Sequence, residues 1–116
     1  MVIDIYNHHI SKSVEKITAK AKYYGEGKEF PYPPQNGDPE VRLGIMEKYG
    51  VDVQALSQTT PILLGLSDED ATELCRLSNE DNFALCKAYP DKFVNICIFH
   101  LPDMRGTMEE LDRAIN

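Results

Sequence analysis

Hydrophobic and polar positions along the chain follow two different periods. Three short runs are rich in β-branched and apolar residues, as strands are: VIDIY (2–6), VDVQALSQ (51–58) and FVNICIF (93–99). Other segments carry apolar residues at helical spacing or begin with a capping residue, which predicts helices: 11–24, 38–50, 67–89 and 107–115. The glycines and prolines of GEGKEFPYPPQNG (25–37) exclude a regular element and predict a long loop.

The order of these elements predicts the fold class. Strands and helices alternate, with two helices between the first two strands, which is typical of an α/β fold with a parallel sheet and right-handed crossovers. The second and third strands are apolar on both faces apart from isolated polar residues, as in parallel strands that helices cover. Three parallel strands leave two open sheet edges and a small core. We therefore expect the chain either to be the first part of a larger α/β protein or to complete its sheet against a partner.

Composition narrows the class of function. The 116 residues suit one small domain, and the net charge of −7 argues against nucleic acid as the main partner, because phosphate backbones attract clustered Lys and Arg. No apolar run is long enough to span a bilayer, and the N-terminus lacks the pattern of a signal peptide. Three cysteines without a CxxC pair argue against a disulfide framework or a structural zinc site. These features predict a cytoplasmic protein with Cys75, Cys86 and Cys97 as buried thiols.

Polar residues follow all three predicted strands, in YNHH, QTTP and HLPD. Sites in α/β proteins gather beyond the carboxyl ends of parallel strands, so these stretches are expected to meet at one edge. The candidate residues are His8, His9, Gln58, Thr59, Thr60, His100 and Asp103. Neutral imidazole is the commonest metal ligand in proteins, but a metal site needs three or four protein ligands. Each stretch could instead consist of polar loop residues or of residues that form a turn. Asp4 could have a structural role, paired with a neighbouring backbone or basic group, rather than a catalytic one.

Three stretches together resemble one known family. They are VIDIYNHH, RLGIMEKYGVDVQALS and ATELCRLSNEDNFALCKAYPDKFVNICIFHLPD, in this order along the chain. They are similar to the N-terminal part of amidohydrolase-related proteins that resemble aminocarboxymuconate-semialdehyde decarboxylase. The likeness covers most of residues 1–10 and 38–116. It misses the segment 11–37.

The resemblance implies a metal-dependent (β/α)8 barrel, with residues 1–116 as the N-terminal part of a single TIM-barrel domain. It implies a divalent ion, usually zinc with manganese as a possibility, and a small carboxylated substrate that is decarboxylated rather than hydrolysed. His8 matches the second histidine of the family's His-x-His ligand pair, and Tyr6 stands in the place of the first. His9, Gln58, Thr59 and His100 are expected in the substrate pocket. The other ligands and the catalytic residues are expected beyond residue 116, in the remainder of the barrel or in a homo-oligomer.

Two other interpretations remain open from the sequence. The Tyr6 replacement and the short chain are also consistent with a metal-free barrel fragment that acts as an assembly or interaction subunit. A small flavodoxin-like binding domain would carry a phosphate-binding loop after the first strand. YNHHISKS offers two serines there but no glycine, which disfavours this third interpretation.

Overall fold

The computed structural model describes residues 1–21 and 34–116, apart from the side chains of Thr60 and Pro61. Its sheet contains three parallel strands in the order β1-β2-β3. They are β1 (Ile3–His8), β2 (Val53–Ser57) and β3 (Phe93–Asn95). The predicted α/β class with parallel strands is confirmed.

In the described residues, four helices connect and follow the strands. They are α1 (Lys12–Thr18), α2 (Pro39–Tyr49), α3 (Asp68–Ala88) and α4 (Met104–Ile115). Two short 3-10 segments, Pro34–Asn36 and Thr60–Leu63, precede α2 and α3. Because successive parallel strands are neighbours in the sheet, right-handed crossovers put the connecting helices on one face. No helix in the described part of the chain has the length and apolar content that a membrane span requires.

The ends of α2 and α3 follow from local capping chemistry. Asp38 Oδ1 accepts hydrogen bonds from the backbone N–H groups of Glu40 (2.9 Å) and Val41 (3.3 Å). Gly50 ends α2 in the left-handed conformation, with φ of 68°, as glycine does without steric penalty. The Ser67 hydroxyl accepts from the N–H of Asp70 at the start of α3. These caps agree with the sequence prediction.

The third strand is shorter than the run FVNICIF predicts, and ends at Asn95 rather than at residue 99. The reason is a side chain of α3. The Asn79 amide accepts a hydrogen bond from the N–H of Ile98 and donates one to its carbonyl, both at 2.9 Å. The N–H of Ile96 still donates to the carbonyl of Leu56 in β2 at 2.8 Å, but at Ile98 the backbone is bonded to a helix instead of a neighbouring strand.

Other boundaries also differ from the prediction. β1 continues to His8, two residues past the predicted end. α4 begins at Met104 because Asp103 Oδ1 accepts from the N–H of Gly106 at 2.9 Å, which caps a turn that starts before residue 107. α1 ends at Thr18; the rest of the helix predicted over 11–24, and the predicted loop at 25–37, lie partly outside the described residues.

Two apolar clusters form the core between the sheet and the helices. One joins α1 to α3 and contains Ile10, Val14, Ile17, Ile62 and Leu74. The other joins α2, α3 and the sheet and contains Met46, Leu56, Leu85 and Phe93. Of the three cysteines, all free thiols, Cys75 is buried as predicted, and burial raises its pKa to about 12, so it is an inert thiol. Cys86 and Cys97 are half-buried, which corrects the expectation that all three lie in the core.

The other face of the sheet has no helix on it in the described part of the chain. Its exposed apolar side chains are Ile3, Ile5, Val94 and Ile96. We call this surface the open face. Apolar residues on the second face of a parallel sheet are normally covered in α/β proteins.

A pair of glycines in α2 tests this account of the helix. Gly50→Ala is expected to lower the free energy of unfolding by about 1 kcal/mol, because a Cβ disfavours the left-handed conformation at this position. Gly44→Ala is the matched control. Its added Cβ meets no atom within 4 Å, so higher helix propensity should raise the free energy of unfolding by up to about 1 kcal/mol. Urea unfolding of both variants measures the two effects; equal signs would contradict the assigned end of α2.

Candidate functional site

The first strand contains one extra residue, which decides where its side chains lie. Asp4 pairs with Gln54, and Asn7 pairs with Leu56, so three steps along β1 match two steps along β2. Such an extra residue is a β-bulge, and it reverses the alternation of side chains from that point onward. As a result Asp4 and Asn7 lie on the same side of the sheet, and Asn7 Nδ2 donates to Asp4 Oδ2 at 2.6 Å.

On the open face, Tyr6 and His8 lie side by side. Their ring centroids are 5.0 Å apart with an interplanar angle of 70°, an edge-to-face contact. Tyr6 is 82% exposed, and His8 is half-buried. The rings of the Tyr-x-His pair are therefore in contact at the carboxyl edge of the sheet.

The Ser57 hydroxyl fixes the tautomer of His8. Ser57 Oγ donates its hydrogen to the carbonyl oxygen of Asn7 at 3.0 Å. The same oxygen lies 3.3 Å from His8 Nδ1, and because its hydrogen is used, it accepts from Nδ1–H. His8 Nε2 is then the nitrogen with the free lone pair.

Electrostatics keep the His8 ring neutral. Partial burial lowers the pKa of His8, and the positive charge of Arg42 lowers it further. At neutral pH the imidazole is therefore uncharged. It is in the form that binds a metal ion or accepts a proton.

His9 lies on the opposite side, among the helices, and is separated from His8. It is 6% exposed, and its Nδ1 lies 2.7 Å from Asn82 Oδ1 of α3. An amide oxygen only accepts, so Nδ1 of His9 carries the hydrogen. His9 lines a surface cavity of about 480 Å³ together with Pro39 and Tyr89.

The predicted residues after β2 link the strand ends. Gln58 is buried; its Nε2 donates to the carbonyl of His9 at 3.3 Å, and its Oε1 accepts from the N–H of Thr59 at 3.0 Å. Thr59 is half-buried, and its carbonyl accepts from the N–H of Ile62. The backbone of Thr60 begins the 3-10 segment.

The predicted residues after β3 contact helices rather than His8. His100 Nε2 lies 2.8 Å from Asp68 Oδ1 in the first turn of α3. Asp103 caps α4 and accepts from the Thr72 hydroxyl at 2.9 Å. The Gly106 N–H, and then the Thr72 hydroxyl, hold the pKa of Asp103 below its usual range. The described residues 1–21 and 34–116 contain no group of three His, Cys, Asp or Glu that could hold a metal ion.

Sequence analysis missed the polar group behind β1. Arg42 of α2 is 3% exposed and donates to Asn7 Oδ1, to Gln54 Oε1 (3.1 Å) and to the His8 carbonyl (2.7 Å). Gln54 Nε2 also donates to Asp4 Oδ2 at 3.3 Å, so Asp4 has the structural role that was its alternative explanation. The spacing of residues in α2 could have indicated that Arg42 is buried. Arg42 stands four residues before the buried Met46 and so shares its helix face.

Comparison with known proteins shows what the chain is similar to. No family model matches it. A 2-amino-3-carboxymuconate-6-semialdehyde decarboxylase of Caenorhabditis elegans is 26% identical in an alignment of 132 positions. The alignment covers 97% of this chain and 33% of that protein. The enzyme of the same name from Dictyostelium discoideum is 29% identical over 112 residues, covering 94% of this chain and 29% of that protein. The family resemblance seen in the sequence is confirmed.

Several solved structures of similar fold are decarboxylases, and others are amidohydrolases and a hydratase. The 5-carboxyvanillate decarboxylase of Sphingomonas paucimobilis superposes with a TM-score of 0.80 at 22% identity, over 97% of this chain and 38% of that one. That of Novosphingobium aromaticivorans, solved with manganese and 4-hydroxy-3-methoxy-5-nitrobenzoic acid, superposes with a TM-score of 0.79 at 18% identity, over 100% and 38%. These neighbours are TIM barrels. The chain spans about a third of the length of the curated relatives it matches.

The buried histidine gives a pH prediction. Burial and Arg42 lower the pKa of His9, against opposing contributions from Asn82 and Asp81. Histidines of the unfolded chain ionise near pH 6.5, so the unfolded chain binds a proton more readily than the folded one. The contribution of neutral His9 to the free energy of unfolding is therefore fully present above about pH 6.5 and is lost as the pH falls below it. His9→Gln removes this contribution and should reduce the loss of stability between about pH 7.5 and about pH 5.5, by at most about 1.4 kcal/mol per pH unit. Urea unfolding at both pH values tests this; an unchanged pH dependence would contradict it.

Proposed function

We propose that this chain forms the first three strands of a single TIM-barrel domain, residues 1–116 being its N-terminal part, in a metal-dependent decarboxylase. One observation carries the proposal. His8 lies at the carboxyl end of β1 beside Tyr6 on the open face, burial and Arg42 lower the pKa of its ring, and its Nε2 takes no part in the hydrogen bonds of the described residues. The decarboxylases among the relatives and the solved neighbours give the class of reaction.

The residues at this strand end fit a divalent metal in part. His8 offers a neutral nitrogen ligand, and the bond from Nδ1–H to Ser57 would orient its ring, as partners of metal-binding histidines do. A neutral phenol, in contrast, is a poor ligand, because tyrosine ionises only near pH 10. We therefore assign His8, and not Tyr6, as the ligand from β1. The other ligands would come from outside the described residues.

A bound metal would act as a Lewis acid on the substrate carboxylate. Manganese is bound in two of the solved neighbours, and zinc is the ion that the sequence resemblance implies. The chain's own part is to hold His8 neutral and to provide a surface for the substrate's carbon skeleton. Tyr6, Ile5 and Ile3 supply apolar area beside His8 on the open face.

The substrate class that fits this surface is a small, flat carboxylate. Neighbouring structures contain 2,6-dihydroxybenzoate and a nitrobenzoic acid, both aromatic carboxylates. The exposed Tyr6 ring would contact such a ring edge-to-face or by stacking. Gln58, Thr59 and His100 stay candidates for the pocket because they follow the ends of β2 and β3, whereas His9 faces α3. Loss of CO2 also needs a proton donor for the carbon, which we expect beyond residue 116.

Metal analysis tests the ligand assignment. In the protein at the length its gene encodes, we expect one Mn²⁺ or Zn²⁺ per chain, and His8→Ala should remove it because the only ligand from β1 is lost. His9→Ala is the matched control and should retain the metal, since His9 faces away. Inductively coupled plasma mass spectrometry of the purified proteins gives the metal content. Equal metal content in the wild type and His8→Ala would reject the assignment.

Tyr6 variants refine the same test. Tyr6→Phe should leave the metal content unchanged, because a neutral phenol contributes no ligand. Tyr6→His restores the family's His-x-His pair and should tighten metal binding. Titration calorimetry with Mn²⁺ measures both affinities. A loss of metal in Tyr6→Phe would show that the phenol is a ligand after all.

Release of CO2 distinguishes decarboxylation from hydrolysis. With 2,6-dihydroxybenzoate or 5-carboxyvanillate as probes, we expect CO2 and the decarboxylated phenol in the wild type, and a loss of at least about 100-fold in His8→Ala. Tyr6→Phe should retain CO2 release. Products that keep the carboxylate would point to hydrolysis instead.

An interaction subunit is the second candidate function. The observation that favours it is the open face, where Ile3, Ile5, Val94 and Ile96 are exposed. Patches of this kind mark protein interfaces in soluble proteins. A metal-free protein that forms a stable complex through this face, with no CO2 release, would favour this candidate over the decarboxylase.

A further inference from the structure

The guanidinium of Arg42 is buried between α2 and the sheet. The residue is 3% exposed, and its Nε has no acceptor within the described residues 1–21 and 34–116. Its acceptors among the described residues are neutral oxygens. The Asp4 carboxylate is linked to it through the amides of Asn7 and Gln54. Buried charges seldom add net stability compared with apolar side chains of similar size. The position of this charge therefore calls for a role other than packing.

Its contacts gather at the end of β1, just after the bulge. Nη1 donates to the Asn7 side chain, and Nη2 donates to the His8 carbonyl at 2.7 Å. A second, longer contact of 3.5 Å joins Nη2 to the carbonyl of Asn36. The bulge interrupts the ladder between Asp4 and Asn7, and strand pairing resumes at Asn7 and His8. Arg42 adds side-chain hydrogen bonds to this part of β1.

Two anchors hold the backbone on either side of the His8 Cα. Ser57 Oγ binds the carbonyl of Asn7, and Arg42 binds the carbonyl of His8. Fixing both neighbouring peptide groups fixes the direction in which the His8 side chain leaves the strand. The ring is then held on the open face against Tyr6.

We propose that Arg42 is a positioning residue, which holds the end of β1 so that the His8 ring is presented on the open face. Its importance for metal binding rests on the proposed function, but the positioning itself does not. Arg42 acts through the backbone from the helix side of the sheet. Within the described residues, none of the hydrogen bonds of Arg42 goes to the His8 ring.

NMR of the metal-free chain measures the orientation of the His8 ring. The three histidines give three ring Cε1–Hε1 signals in ¹³C-histidine-labelled protein, which His8→Gln, His9→Gln and His100→Gln assign. Arg42→Gln should displace the His8 signal and remove the nuclear Overhauser contact between the rings of Tyr6 and His8, while the His100 signal stays in place. Arg42→Lys should give a smaller displacement, because an ammonium group can still donate to the His8 carbonyl. A general loss of packing would instead move the His100 signal as well.

Arg105→Gln is the control for loss of a positive charge, because Arg105 is exposed and forms its ion pair with Glu109 of its own helix. It should leave the His8 signal unchanged. A folded Arg42→Gln variant with the wild-type His8 signal and ring contact would overturn the proposal. If Arg42→Gln does not fold, Arg42→Lys decides by the same two readings.

Added Mn²⁺ separates this inference from the proposed function. If His8 is a ligand, the paramagnetic ion broadens the His8 signal first, and Arg42→Gln weakens Mn²⁺ binding about 10- to 100-fold, as loss of an orienting partner does. Without such broadening the metal assignment fails. The displaced ring signal would still support the positioning role of Arg42.

Discussion

The extra residue in β1 is the constraint on which the site depends. Between Asp4 and Asn7 the strand advances three residues while β2 advances two. In a regular strand, residues three positions apart lie on opposite faces, so Asp4 and Asn7 would be separated. The bulge brings both to the helix side and leaves Tyr6 and His8 together on the open face. One inserted residue thus places Asp4 and Asn7 in a buried polar group and Tyr6 and His8 at the exposed site.

The polar residues on the helix side form a buried layer between β1, β2 and α2. The Arg42 guanidinium, the Asn7 and Gln54 amides and the Asp4 carboxylate are joined there by hydrogen bonds, and only Arg42 Nε in this group has no acceptor among the described residues. Polar groups in such an environment are stable only when their hydrogen bonds are made, so the layer specifies one register and one strand direction. Away from it, two apolar clusters fill the space between sheet and helices.

Asparagines of α3 organise the other strand ends in the same manner. Asn79 binds both backbone groups of Ile98, and Asn82 binds the imidazole of His9. Both asparagines are buried in the stripe of α3 that faces the core. This helix therefore sets where β3 stops and which way His9 points.

The sequence by itself determined the order of the elements, the parallel α/β class and the caps of α2 and α3. These features depend on residue period and on contacts within a few positions, such as Asp38 with the N–H groups of Glu40 and Val41. It also indicated that polar residues at the ends of β1 and β2 lie at one edge, because parallel strands end at the same edge; the contact of His8 with Ser57 came from the structure. Only the tertiary structure decided that His8 and His9 face opposite sides, that β3 ends at Asn95, and that Arg42 lies behind β1. Each of these depends on partners 19 to 73 positions away in the chain, which no local pattern encodes.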